Sequence, residues 1–329
     1  MIACAEYSFC QAPLVDDFLG LVSYSPKKVE AFISKKGFRS TGTITYNDSL
    51  IDTWQQVGRP TSTDSVQRRI WRYQDGESAA FGFLTTSRGE FDAAVNHLKS
   101  SGFRCPGQEI PMLLQRKNFQ VRGMMVNEDS LQFYSLLFQQ QKLPPSRSIR
   151  YADDLLQFSS HEMLLAFFGA AYVTMGRFDG ENNGLSYSTL FAGTPKEAMF
   201  VWKDGMNLMD LDHIILGGRG TADDAAYSGP MIPSTWTLKN GLYFNMRLDQ
   251  LIKLNEDDIL FFGRRSDYYL NVKQEKKSRI DFASTGVILD CLNCDGSAVL
   301  DRELVSAAEA LNHSLRLHIG TIILFPGKD

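Results

Sequence analysis

Residues 234–262, S-T-W-T-L-K-N-G-L-Y-F-N-M-R-L-D-Q-L-I-K-L-N-E-D-D-I-L-F-F, change their hydrophobic period twice. Trp236 and Leu238 alternate with Thr235, Thr237 and Lys239, the period-2 pattern of a half-buried strand. Asn240 and Gly241 both tolerate positive φ, so they predict a tight type I′ hairpin. Leu242, Phe244 and Met246 then alternate with Tyr243, Asn245 and Arg247. From Leu248 the spacing becomes helical, with Leu248, Leu251 and Ile252 on one face and Leu254 at its edge. Asn255 can close that helix in the left-handed region, and residues 259–262 read as a short buried strand. Every residue of this stretch has a sufficient structural role. It specifies a supersecondary unit and leaves chemistry to be sought elsewhere.

The chain has 329 residues, 43% of them hydrophobic and 22% charged, which allows about two domains with their own cores. A formal net charge of −4 supplies no basic field for phosphate backbones, so nucleic acid is not an expected partner. No run of about 18 apolar residues is present, so no membrane-spanning helix is expected. Met1-Ile2-Ala3-Cys4-Ala5 is apolar until Glu6 interrupts it, and residues 8–13 look like the small-residue end of a bacterial leader. Residues 1–13 are therefore read as a leader-like or disordered segment. The expected compartment is the periplasm or cell envelope, with a lipid anchor in the native precursor; the cytoplasm is the alternative.

Residues 14–141 carry a diverged repeat. Ser25-Pro26 opens a helix with Val29, Phe32 and Ile33 on one face, closed by Gly37-Phe38. Ser87-Arg88-Gly89-Glu90 has the form of a capping box, followed by Phe91, Ala94, Val95 and Leu98 at helical spacing and then Gly102-Phe103, 65 residues after the first pair. Strand-like segments at 42–46, 69–73 and 81–85 follow the first helix, and at 112–115, 119–125 and 132–139 the second. The expectation is two α-β-β-β units sharing one antiparallel sheet, with the helices on one face. Pro144-Pro145 within the polar stretch 142–150 marks a linker.

Residues 151–329 are expected to form a larger α+β domain, with a mixed or antiparallel sheet and two or three helices. Ser159-Ser160-His161-Glu162 precedes a helix bearing Met163, Leu164, Phe167 and Phe168, which stops at Gly169. Strands are expected at 171–175, 187–191, 198–203, 214–216, 268–273, 286–291 and 315–325, with a helix at 303–311. Residues 219–233, rich in Gly, Asp, Ala and Pro, form the longest loop. The segments 186–194 (S-Y-S-T-L-F-A-G-T), 198–204 (A-M-F-V-W-K-D) and 240–255 (N-G-L-Y-F-N-M-x-L-x-x-L-x-x-L-N) resemble those of a group of uncharacterised bacterial exported, lipoprotein-like proteins. The resemblance departs at Met246 and at Asn255-Glu256, where small residues are expected. It rests on core and turn residues, so it implies export and fold and assigns no activity.

Chemistry is thinly marked. Cys291-Leu292-Asn293-Cys294 suits a local disulfide, a pair of inert thiols, half of a metal site or thiol exchange. Asp179, Glu181 and Asn183, followed by Gly184, resemble the first half of a calcium loop, but position 12 is Leu190 and a solvated turn is the simpler reading. Gly217-Gly218-Arg219-Gly220-Thr221 follows a strand as phosphate loops do, yet it lacks the Lys-Ser/Thr that would complete one. Asp223 and Asp224 offer paired carboxylates in the same loop. Arg264 with Tyr268 offers a cation beside an aromatic platform, as ligand-binding patches do. No spacing indicates a Ser/His/Asp triad. No cofactor is implied and no catalytic residue is nominated.

These features together point to a non-enzymatic exported protein of the bacterial envelope that binds a protein or a glycan. Arg219, Asp223, Asp224, Arg264 and Tyr268 are its candidate contacts. The alternative is a hydrolase with a site between the domains, using the carboxylates of 179–184 or 219–233.

Overall fold

Two Gly-Phe pairs end two helices in the same way. Helix α2 (Pro26–Lys35) and helix α3 (Arg88–Ser100) are each followed by a glycine in the left-handed region, Gly37 at φ +87° and Gly102 at +88°. Ser87 caps α3 by accepting a hydrogen bond from the Glu90 amide. The short helix α1 (Val15–Leu21) precedes them. The computed structural model describes residues 15–22, 24–46, 49–56, 66–75, 78–128, 130–145, 148–178, 185–217, 233–274 and 278–327. The leader-like segment 1–13 lies outside these residues. The chain divides into two units, Met1–Leu143 and Pro144–Asp329.

The first unit is one seven-stranded antiparallel sheet. Its strands are β1 (Phe38–Tyr46), β2 (Ser49–Gln56), β3 (Arg68–Asp75), β4 (Ser78–Thr85), β5 (Met112–Arg116), β6 (Phe119–Glu128) and β7 (Leu131–Gln140), in the spatial order β1-β2-β3-β4-β7-β6-β5. The last strand of each repeat pairs with the other at the centre, Phe81 opposite Phe138 and Phe83 opposite Leu136. The order reads outward symmetrically from that pair. The first repeat holds one strand more than the expected three, β2. Its second-repeat counterpart is β5, and β1 has its counterpart at Arg104, which exchanges two backbone hydrogen bonds with Gln115 (2.8 and 2.9 Å). Pro106 and Pro111 flank that short bridge, and a proline cannot donate to a ladder.

Alternation along β4 and β7 puts Phe81, Phe83, Leu136 and Phe138 on one face, where they are buried in one cluster with Val29, Ile33, Phe91, Val95 and Leu98 of the helices. On the other face the Trp71 ring lies across Gly82, where a Cβ would stand 1.9 Å from the indole. Only glycine admits this contact. Gly82→Ala should therefore cost about 1–3 kcal/mol, read as a lower urea midpoint at unchanged slope.

The second unit is built on a six-stranded antiparallel sheet. Its strands are β8 (Val173–Arg177), β9 (Ser186–Leu190), β10 (Ala198–Asp204), β11 (Met209–Gly217), β13 (Thr285–Cys291) and β15 (Leu317–Leu324), in the order β13-β15-β11-β10-β9-β8. A small second sheet pairs β12 (Leu260–Phe262) with β14 (Leu304–Ser306). The helices are α4 (His161–Phe168), α5 (Leu248–Asn255) and α6 (Ala307–Asn312). The chain is thus α+β throughout. Residues 268–273 form isolated bridges instead of a strand, and the segment read as one helix at 303–311 divides into β14 and α6.

Helix α5 matches its sequence pattern, and Glu256, at φ +63°, takes the left-handed position just after Asn255. The turn before it differs from the expected type I′ hairpin. Asn240 keeps a negative φ while Gly241 sits at +91°. The Gly241 amide donates to Leu238 O, and Leu238 N donates to Leu242 O, which makes a three-residue loop with glycine as its bulge. Lys239 joins the loop because two neighbouring carboxylates hold it: its amide donates to Asp153 (2.9 Å) and its ammonium lies 2.7 Å from Asp154.

Asp154 also accepts the amides of Arg150 and Tyr151 at 2.9 and 2.8 Å. Burial pushes its carboxyl upward, but the Lys239 ammonium and the two amides outweigh burial and hold it below the usual carboxylate range. A depressed native value contributes stability that is present above the unfolded value of about 3.9 and is lost as pH falls through the native one. Asp154→Asn should cost about 1–3 kcal/mol near neutral pH, and its deficit against the parent should narrow below about pH 4 in thermal melts.

Candidate functional site

Helix α4 reads H-E-M-L-L-A-F-F and has no polar face beyond its first turn. Ser160 caps it by accepting from the Met163 amide (3.2 Å), and the His161 amide donates to Leu208 O (2.9 Å) in the turn between β10 and β11. One buried hydroxyl then fixes the helix to the sheet. Ser188 Oγ on β9 lies 2.8 Å from His161 Nδ1 and accepts the indole N–H of Trp202, on β10, at 2.8 Å. All three residues are buried. A Ser–His contact has the composition of a nucleophile and its base, but this hydroxyl already accepts a donor and meets no solvent, so the contact is structural.

The second half of α4 is different. Leu165, Ala166, Phe167 and Phe168 are only half-buried, although a helix apolar all round ordinarily lies wholly inside a core. Phe167 and Phe168 meet edge to face at 4.7 Å between ring centres, and both rest on the buried Phe158 at 5.1 and 5.2 Å. Phe168 reaches Phe191 at 5.5 Å, and Phe191 reaches Tyr172 at 5.5 Å. The chain of rings runs from the core to the surface, where Tyr172 is 55% exposed and Met175 of β8 is 65% exposed. Gly169, at φ +92°, ends α4 and turns the chain into Tyr172 and β8.

Phe191 itself adopts φ +52°, a strained conformation for a bulky side chain. Three hydrogen bonds hold it there: its amide donates to Tyr172 O (2.8 Å), and its carbonyl accepts the Thr194 amide (3.1 Å) and the Thr194 hydroxyl (2.8 Å). Strain of this kind persists where surrounding contacts over-determine it, and it gathers at binding sites. Here it aims one ring at the junction of α4 and Tyr172.

Of the residues nominated from sequence, Arg219, Asp223 and Asp224 lie outside the described residues, as do Asp179, Glu181 and Asn183. Cys291 and Cys294 are joined in a disulfide, with Cα atoms 5.7 Å apart, at the end of β13. Asn293 within it accepts the Arg316 amide (2.7 Å) and donates to Ser314 O (3.0 Å). Arg264 donates to Cys294 O, to Ser297 O (3.2 Å) and to Asp301 (2.9 Å), so its guanidinium stitches this corner of the domain. The Asp301 carboxylate raises Arg264 above its ordinary value, and the Tyr269 phenol adds to the effect. Tyr268 is 65% exposed, with its ring against Phe262 at 5.7 Å. The two side chains engage different neighbours, the 294–301 corner for the guanidinium and Phe262 for the ring. Among the described residues no group of three His, Cys, Asp or Glu side chains is placed to hold a metal ion, and no helix is long and apolar enough to cross a membrane.

The ring chain was not nominated from sequence. Its trace there is the apolar run 163–168 extending past the width of one buried face, followed within four residues by a second aromatic. No protein-family model, curated protein or solved structure matches the chain.

Ser188 makes a sharp test of how α4 is held. Ser188→Ala removes one hydroxyl and leaves the Trp202 N–H and His161 Nδ1 without it. The expected loss is about 1–3 kcal/mol, seen in denaturant melts together with a shift in Trp fluorescence.

Proposed function

We propose that this chain is a non-enzymatic binding protein of the bacterial cell envelope that takes a protein partner through its C-terminal unit. The observation that carries the reading is the partly exposed ring chain Phe167, Phe168, Phe191 and Tyr172, held in place by a strained Phe191. Exposed aromatic clusters rimmed by polar residues are where soluble proteins meet their partners. The geometry favours a protein over a glycan. Sugars stack on a flat, open ring face, whereas these rings interlock edge to face and present a rough apolar surface suited to side chains. A Cys-x-x-Cys disulfide supports an oxidising compartment, in keeping with the resemblance to exported proteins. The hydrolase alternative would draw its carboxylates from segments outside the described residues, and no described residue adds to it.

The test is a photo-crosslinking amino acid placed at Tyr172 in the native cells, with one at Lys253 on α5 as control. A discrete adduct to one protein in the envelope fraction, formed from position 172 and absent from 253, is expected. Equal adducts from both positions, no adduct from 172, or recovery of the chain in the cytosol alone would overturn the proposal.

A further inference from the structure

The six-stranded sheet has two edges, and they are treated differently. Beyond β13 an extended segment already lies alongside: Val272 N donates to Val287 O (2.8 Å), Leu289 N donates to Leu270 O (2.9 Å), and Asn271 bridges Ile288. Beyond β8 no such segment is found among the described residues. The direction of its backbone groups follows from the ladder. Phe191 N donates to Tyr172 O (2.8 Å) and Phe178 N donates to Leu185 O (2.9 Å). Hydrogen-bonded pairs alternate along an antiparallel ladder, so Thr174 and Gly176 turn their amides and carbonyls toward β9. Val173 and Met175 turn theirs outward, about 6.8 Å apart, the repeat of an extended chain.

Sheet edges in soluble proteins are usually blunted by bulges, prolines or charges. The outer edge of the first unit's sheet, β1, is blunted by a bulge between Ser40 and Gly42, with Gly42 at φ +116°. β8 pairs with β9 in unbroken register and reads Val-Thr-Met-Gly-Arg, without proline and with one charge at its end. Met175, one of the residues whose amides face outward, is also among the most exposed apolar side chains described. Met175 shares its face of the sheet with Ser188, the contact of α4.

We infer that β8 is a strand-addition site: an extended segment of the partner protein pairs with it through backbone hydrogen bonds and sets alternate apolar side chains beside Met175. The occupant follows from the free groups. Amide and carbonyl pairs repeating every second residue are matched by another extended backbone, and this sheet already covers its other edge with one. The inference deepens the binding reading above and rests on it, because it states how a partner engages that end of the sheet.

The probe is a library of blocked ten-residue peptides in which Thr alternates with Val, Ile, Leu or Phe. At least one member should bind the full chain with a Kd tighter than about 100 µM. Met175→Pro removes the outward N–H at no cost to the native ladder and should abolish that binding, while Met175→Ala keeps the N–H and should weaken it about threefold or less. N-methylation of alternate amides in the best peptide should abolish binding to the unaltered protein, which keeps the test independent of how Met175→Pro folds. Binding that survives both Met175→Pro and N-methylation, or that Ala and Pro reduce equally, would overturn strand addition. If Tyr172→Ala abolished that surviving binding, the aromatic surface would stand without it. No binding by any peptide would also overturn strand addition, and the crosslink from position 172 would then decide the broader reading separately.

Discussion

The C-terminal unit depends on one hydroxyl. Ser188 Oγ meets His161 from α4 and Trp202 from β10, so a buried side-chain hydroxyl joins helix and sheet beside the backbone bonds at the start of α4. Apolar contact alone is non-directional, and a helix as uniformly apolar as α4 could rotate or slide on its sheet at little cost. A buried hydrogen bond penalises such shifts, because any movement strands a polar group away from water. The consequence reaches the surface. With α4 fixed at its first turn, its last turn must deliver Phe167 and Phe168 to the mouth of the sheet. There Phe191 and Tyr172 complete the chain of rings.

Features set by local periodicity were legible in the sequence. The helix at 248–255 follows from Leu248, Leu251 and Ile252, and both Gly-Phe helix ends follow from the need for a left-handed residue there. Features set by tertiary contact were not. The Asn240-Gly241 turn has the composition of a type I′ hairpin, but Asp153 and Asp154 capture Lys239 and extend the loop by one residue. β2 escaped because Leu50, Ile51 and Trp54 do not alternate regularly, and its outer end is exposed. Among the candidate contacts, Arg264 directs donors to two backbone carbonyls and Asp301, partners 30 to 37 residues away that no local pattern announces. The aromatic site draws on α4, Tyr172 and Phe191, which no local window brings together.

The two sheets manage their edges by the same means. In the first unit Arg104 covers β5 with a single two-bond bridge, and β1 is kinked by its bulge. In the second, the segment around Asn271 covers β13, and the disulfide between Cys291 and Cys294 ties off that strand's end with Arg264 bound to its carbonyl. Each sheet thus has one edge covered by its own chain. Among the described residues β8 combines an unbulged register, outward backbone groups and an exposed apolar side chain, Met175.

That asymmetry bears on how a partner could be taken without disturbing the fold. Five strand spacings separate β8 from β13, about 24 Å across the sheet. The crosslinked corner lies at the far side, and the core strands β10, β11 and β15 stand between. A strand added at β8 would extend a ladder whose register is already set by β9, and its side chains would meet rings held by Phe191 before any ligand arrives. Little ordering would remain to be done on this side of the complex. The entropic cost of binding would fall on the incoming segment, so affinity should depend on how readily that segment is already extended.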